Sequence, residues 1–270
     1  MLPLVTEIWQ IYVLIFVLQS ASAAFTPTFQ ATIPDILKDE ERYTKALSLS
    51  RLAYDLENLI SPLIATLLLS VMSFNVLFAG TSVGFALSAA LIMGVTLPAP
   101  ALAMVDNFGK RLFRGTRIFF QTPRLRGLMA LNLAVAALGA PVLVNTIIIV
   151  RETLSLGESA VAVTLGAFGG GSMLAAFILP SLLRHVTERT IMFAGAVIGA
   201  TAFIGLIFFL QFSDLNWPML LMIWFITGFG YSATQTPSGR LLRKSAHEQS
   251  RPSIFAAQFS LSHACWLFTY

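Results

Sequence analysis

Charge is what this sequence has least of. Of its 270 residues, 11% are Asp, Glu, Lys or Arg against 56% hydrophobic ones, and the mean hydropathy is +0.78. Soluble domains carry about a quarter charged residues, so a water-soluble globular fold is excluded and a lipid bilayer is the solvent that fits. Cysteine is nearly absent. Cys265 stands alone, which excludes an internal disulfide and a multi-cysteine metal centre. The histidines are scattered, and His263 and Cys265 lie about 200° apart around a helix, so they do not converge on a metal. No Ser/His/Asp or carboxylate-dyad arrangement stands out. No metal, no cofactor and no enzymatic reaction is therefore expected. LGAFGGGS (165–172) lacks the Lys-Ser/Thr of a phosphate loop and lies inside an apolar run.

What the sequence has in quantity is long apolar runs. About 20 mostly apolar helical residues cross the hydrocarbon. Eight segments qualify: 8–32, 48–71, 74–97, 127–150, 159–183, 190–212, 216–238 and 253–270. The first resembles a secretory signal, IYVLIFVL followed by QSASAA, but it is preceded by Glu7 rather than a positive charge and reads as a spanning helix. The basic residues alternate with the spans. Connections after segments one, three, five and seven hold 16 of the 17 Lys and Arg, and the opposite connections hold only Arg151. Short cytoplasmic loops collect positive charge, so these four connections face the cytoplasm. That use of the basic excess leaves no call for a nucleic-acid partner. The chain divides into three spans (1–97), a basic cytoplasmic linker (98–126) and five spans (127–270). Within the linker, DNFGKRLFRGTRIFFQTPRLRG interleaves phenylalanines with arginines, a pattern able to lie on an anionic inner leaflet.

Two motifs carry a family resemblance. AFTPTFQATIPDILKDEERYTKALSLSRLAYDLENLISPLIATLLL resembles the fourth and fifth spans of bacterial exporters of the major facilitator superfamily, with "PD" and an acidic loop between two proline-containing helices. GGGSMLAAFILPSLLRHVTERTIM is similar to the Gly-rich eighth span and the short basic loop before the ninth, with Arg184 and Arg189 at the loop positions. The pattern departs from the drug/proton exporters in two places. Only Pro62 matches a Gly-Pro pair of the fifth span, and the loop lacks the usual Asp. The resemblance implies an all-α, two-bundle transporter of the inner (plasma) membrane, an ion-coupled exporter for which protons are one candidate coupling ion. It covers spans four to eleven of twelve, so the chain is expected to be an incomplete copy that does not transport alone.

RLAYDLENLISPLIATLLL (51–69) sets three charges at the mouth of an apolar run. At 100° per residue, Arg51, Asp55, Asn58, Pro62 and Thr66 form one stripe, and Arg51 and Asp55 are an i,i+4 pair. Two readings stand side by side: an ion or proton path through the membrane, or a structural pair at the rim. Glu57 lies about 120° from Arg51 without a sequence-local partner, which makes it the better coupling candidate of the two acids. By the resemblance, segments one, four and seven line the central cavity. Their polar positions are Gln19, Ser20 and Ser22, then Asn132 and Asn145, then Tyr231 and Gln235. Uncharged groups in an apolar cavity suit a hydrophobic or amphiphilic small-molecule solute, although Ser and Asn also stitch helices together. Gly166 and Gly170, like Gly195 and Gly199, show the spacing that lets helices approach closely. A reading from another class is a membrane sensor or assembly partner that does not transport and docks lipid through its basic linker.

Overall fold

The computed structural model describes residues 7–94, 108–212 and 215–270, and among these residues the regular structure is helical, with no strand. Ten α-helices follow in order: α1 (Ile8–Ile36), α2 (Glu40–Val71), α3 (Phe74–Met93), α4 (Phe108–Gln121), α5 (Pro123–Ile148), α6 (Glu158–Leu182), α7 (Glu188–Phe212), α8 (Trp217–Gln235), α9 (Ser238–Ser245) and α10 (Arg251–Thr269). A π turn, Ile149–Thr153, extends α5, and a short 3₁₀ turn precedes α10. Each expected segment lies mainly on helix over its described residues; 95–97 of the third lie outside them, and the seventh runs from α8 across a short turn to α9. Five stretches are apolar and long enough to cross a membrane by length and composition: α1, most of α3, α5 with its π turn, α6 and α7.

Local sequence accounts for several helix ends. Asp39 caps α2 by accepting from the Arg42 N–H at 2.8 Å, and Glu40 and Glu41 follow in the first turn, where the helix dipole favours acids. Asn216 caps α8 through the Met219 N–H at 3.0 Å, with Pro218 just inside. The 32 residues of α2 span roughly 48 Å, more than a bilayer's hydrocarbon needs, so one end projects from it.

Helices α5 to α8 form the dense part of the fold. Val142, Val150, Leu206, Leu220 and Trp224 are buried at its centre, and the Trp224 Nε1–H donates to Thr146 Oγ1 at 2.8 Å. The Trp217 Nε1–H donates to Thr164 Oγ1 at 3.0 Å. In a bilayer the lipid is as apolar as leucine, so close van der Waals packing and such interhelical bonds hold helices together. Within this group α6 and α8 approach backbone to backbone, where a Cβ on Gly171 would lie 1.9 Å from the Phe225 carbonyl oxygen and one on Gly228 would lie 1.9 Å from that of Phe168. Of the glycines expected to permit close packing, Gly195 does so against the Gly230 carbonyl, whereas Gly170 has ordinary room beside the Phe225 ring. Between Gly170 and Gly171 of LGAFGGGS, Gly171 makes the tight contact.

The earlier helices pack across the chain rather than on one another. α2 lies against α6, and α1 docks its Ala31 into a cluster with Phe119, Leu125, Ile254 and Phe255 from α4, α5 and α10. The basic stretch expected as a linker is therefore partly a helix in its own right, because α4 packs firmly on α10; its residues 98–107 lie outside the described ones. All four basic connections meet at one end of the molecule. Glu40, Glu188, Arg240 and Lys244 share one ion-pair network there, Arg184 pairs with Glu41, Arg243 donates to the Lys38 carbonyl, and α4 sits against the start of α10.

Gly171→Ala is expected to cost about 1–3 kcal/mol, the range for overpacking a tight contact. Gly205→Ala, where a Cβ meets nothing within 4 Å, is expected to be neutral or slightly stabilising. Thermal unfolding of the two purified variants side by side measures the difference.

Candidate functional site

Arg51 and Asp55 sit on one face of α2, four residues apart, and that face is pressed against α6 and α8. Arg51 Nη2 lies 2.8 Å from Asp55 Oδ1, with both side chains nearly buried. The Arg51 Nε–H is shared between Asp55 Oδ2 at 3.2 Å and Ser172 Oγ at 3.1 Å, and the Ser172 hydroxyl donates to Asp55 Oδ2 at 2.6 Å. The Arg51 Nη1–H donates to Gln235 Oε1 at 3.1 Å. The guanidinium lies 4.8 Å from the centre of the Tyr231 ring and 5.3 Å from that of Tyr54, within range of cation–π attraction. Three helices thus converge on one buried pair. Asp55 supplies the negative charge, Arg51 the fork of donors, and Ser172 and Gln235 take up what remains of each. Such completeness is what an ion pair needs away from water, since taking either partner away leaves an uncompensated charge.

The remaining expected residues are dispersed. Tyr231 packs on Phe168 with ring centres 5.4 Å apart and joins Arg51, and Gln235 joins it directly. Asn132 is occupied by Gln258 of α10, the two amides exchanging hydrogen bonds of 3.0 and 2.9 Å, so it stitches helices together. Gln19, Ser20, Ser22 and Asn145 are exposed on α1 and α5, and the Ser20 hydroxyl bonds back to the Phe16 carbonyl of its own helix at 2.7 Å. Glu57 is exposed and lines a groove of about 730 Å³ between α2 and α3, together with Leu56, Leu68, Val76 and Thr81. The side chains of Asn58, Pro62 and Thr66, the rest of the expected stripe, lie outside the described ones.

A second charged cluster closes the basic end. Arg240 of α9, 11% exposed at its side chain, pairs with Glu40 of α2 and, through Nε at 2.9 Å, with Glu188 of α7. It also donates to Thr44 Oγ1 at 2.9 Å. Lys244, one turn on, bridges the same two acids at 2.9 and 2.6 Å. Arg184 pairs separately with Glu41, which also pairs with Lys45, and Arg189 is exposed. Arg251 pairs with Asp35 at the end of α1. Burial alone would raise the Glu188 carboxyl, but Lys244 and Arg240 outweigh it and hold the group below its ordinary 4.5. The Lys244 hydrogen bond, aided by Arg240, holds Glu40 down likewise against a smaller burial effect. Burial pulls Lys244 down, yet Glu188 and Glu40 leave it above its ordinary 10.5.

Sequence reasoning missed Ser172 and this cluster of acids. Arg240 and Lys244 had a local signal in their i,i+4 spacing, which places both on one face of α9. Ser172 had none.

The fold, the polar pair enclosed by apolar helices and the basic end together describe a multi-pass membrane protein of transporter type. The sequence model of the Major Facilitator Superfamily matches residues 1–269, and the chain belongs to that superfamily, whose members are transporters rather than enzymes. Macrolide efflux protein A of Enterococcus faecalis is 26% identical over 129 residues, a match that takes in 47% of this chain and 39% of that protein.

The sign of the pH dependence follows from the shifted groups of the basic end. The depressed Glu40 and Glu188 contribute stability that is full above their ordinary 4.5 and is lost as pH falls through their lower folded values. The raised Lys244 contributes stability that is full below its ordinary 10.5 and is lost as pH rises through its folded value. A plateau in melting temperature between about pH 5 and pH 10 is expected, with an acid limb that shrinks in the Glu40→Gln/Glu188→Gln variant. Arg240→Ala leaves Glu40 and Glu188 to Lys244 alone and is expected to cost about 1–2 kcal/mol, read from the same melting series at pH 7.

Proposed function

We propose that the transporter carrying these spans exports a hydrophobic or amphiphilic solute across the inner membrane, driven by protons, with Asp55 as the group that takes up the proton. The observation that carries the reading is the buried Arg51–Asp55 pair clasped between α2, α6 and α8. A carboxylate that accepts from Arg51 and Ser172 loses its ion pair when it gains a proton. Arg51 would then rely on Gln235, Ser172 and two tyrosine faces, a weaker hold on α2. Protonation on one side of the membrane thereby loosens α2 from α6 and α8, and deprotonation on the other restores it. Such a two-state clasp is what rocking of two halves about a central site requires.

Geometry favours Asp55 over Glu57 for this role. Glu57 is exposed in the α2–α3 groove, and neutralising it disturbs no clasp between helices. Tyr231 and Gln235 lie on the other side of the guanidinium, and there they form the polar part of the solute's path. The efflux of macrolides named for the Enterococcus faecalis relative fits such a solute, bulky and amphiphilic. The positive-charge pattern places the network of Arg240, Lys244, Glu40 and Glu188 on the cytoplasmic side.

Everted membrane vesicles test the proposal with a radiolabelled macrolide and an imposed acid-inside gradient. The transporter carrying these spans is expected to accumulate the label. Asp55→Asn is expected to lose gradient-driven accumulation by at least about tenfold, the size of one catalytic proton transfer or more. Glu57→Gln is expected to keep it. Full gradient dependence in Asp55→Asn overturns the coupling assignment, and no accumulation by the unmutated transporter carrying these spans overturns the solute.

A further inference from the structure

Helix α4 has two faces of opposite character, and only one is accounted for by packing. Gly115 and Phe119 are buried: a Cβ on Gly115 would lie 1.9 Å from the Ser253 carbonyl oxygen of α10, and Phe119 is 0% exposed in the cluster with Leu125, Leu128 and Ile254. Roughly 200–240° around the helix from Phe113, these residues define its inner side. The outer side carries Phe113, 66% exposed, Phe120, 47% exposed, and the exposed Arg117 between them. At 100° per residue the three lie within about 60° of one another. Two phenyl rings flanking an arginine make a face that water does not favour and that no other described helix covers.

We infer that this face is a membrane contact, with Phe113 and Phe120 entering the inner leaflet and Arg117 among anionic phospholipid headgroups. Three observations on the chain point to that partner. First, α4 ends at Gln121 and α5, which carries a candidate span, starts at Pro123, so the end of α4 is held where the chain enters the bilayer. Second, α4 is pinned along α10 by the Gly115 contact, which stops it swinging away from that level. Third, charge is complementary: residues 107–126 contain six Lys and Arg and no acid, and Arg124 and Arg126 are exposed in the first turn of α5. An amphipathic helix of this kind lies in the interface plane, its aromatics at the headgroup–acyl boundary and its basic residues drawn to anionic lipid. The long arginine side chain reaches outward while its stem stays against apolar surface. The inference depends on the chain being embedded in a membrane and not on its transporting anything.

Spin labels at Phe113→Cys and Phe120→Cys, in separate variants in nanodiscs, report on the face directly. Cys265 is 2% exposed, and an unmutated sample run in parallel corrects for any label it takes up. In nanodiscs containing phosphatidylglycerol, oxygen is expected to relax both labels more than a water-soluble nickel chelate does. Adding Arg117→Glu is expected to move both labels toward the chelate in these nanodiscs and to leave them unchanged in phosphatidylcholine alone. Native mass spectrometry of the unmutated protein is expected to retain phosphatidylglycerol over phosphatidylcholine, with Arg117→Glu lowering that preference about fivefold, the effect of one basic residue near an anionic surface. Labels open to the chelate in both lipids place the face in water and overturn the inference. Labels shielded from both reagents overturn it in favour of a protein partner or a second copy. Equal retention of the two lipids in the unmutated protein overturns the headgroup assignment even where the cysteine variants fail to fold.

Discussion

A charge carried into a bilayer has to be neutralised where it sits, because no water follows it. Arg51 and Asp55 meet that condition within one turn of α2, yet neither is satisfied by the other alone. The carboxylate has more acceptor sites than one guanidinium edge fills, and the guanidinium has donors left over. Ser172 from α6 and Gln235 from α8 complete them, so both partners are fully hydrogen-bonded only while α2 lies against both helices. Electrostatic satisfaction and helix packing are one requirement here. The arrangement of α2 on the dense group α5 to α8 depends on it, and the protonation-linked clasp proposed for transport is that dependence run in reverse.

The packing beneath the pair is of a different nature. α6 and α8 touch backbone to backbone at Gly171 and Gly228, a contact set by the absence of side chains. Such a contact is rigid, since any Cβ would force the helices apart. The pair therefore works against a firm wall: Ser172 is the residue next to Gly171, and Tyr231 is one turn beyond Gly228. At the basic end the clasp is electrostatic instead. Arg240 and Lys244 each reach Glu40 of α2 and Glu188 of α7, so two acids from distant parts of the chain share two cations. Groups at this end meet water, and their pairing is weaker and more readily exchanged than backbone contact.

Much of this was legible before any coordinates. Long apolar runs mark the helices because a helix is the structure that satisfies backbone groups in lipid without a partner. The Arg51–Asp55 pair was legible from spacing alone, as i,i+4 neighbours face the same way on any helix. Choosing between Asp55 and Glu57 was not legible. Both are acids near one end of an apolar run, and what separates them is which face α6 and α8 cover. Asn132 shows the same limit, for a lone amide in a span reads equally as a solute contact or as half of a helix–helix bond until Gln258 appears opposite it. LGAFGGGS announced close packing, but which glycine bears it depends on the register of α8.

What the sequence determined by itself is the solvent, the helical class, the alternation of basic and non-basic connections, and the local ion pair. Each of these rests on composition or on neighbours within one helical turn, and such information does not wait for folding. What only the tertiary structure decided is which residues from separate helices meet. Ser172 and Gln235 come to Arg51 and Asp55 from 117 and 184 residues away, and Glu40 meets Arg240 across 200. Contacts of that range follow from how helices rotate and slide against one another, and no spacing along the chain encodes a rotation.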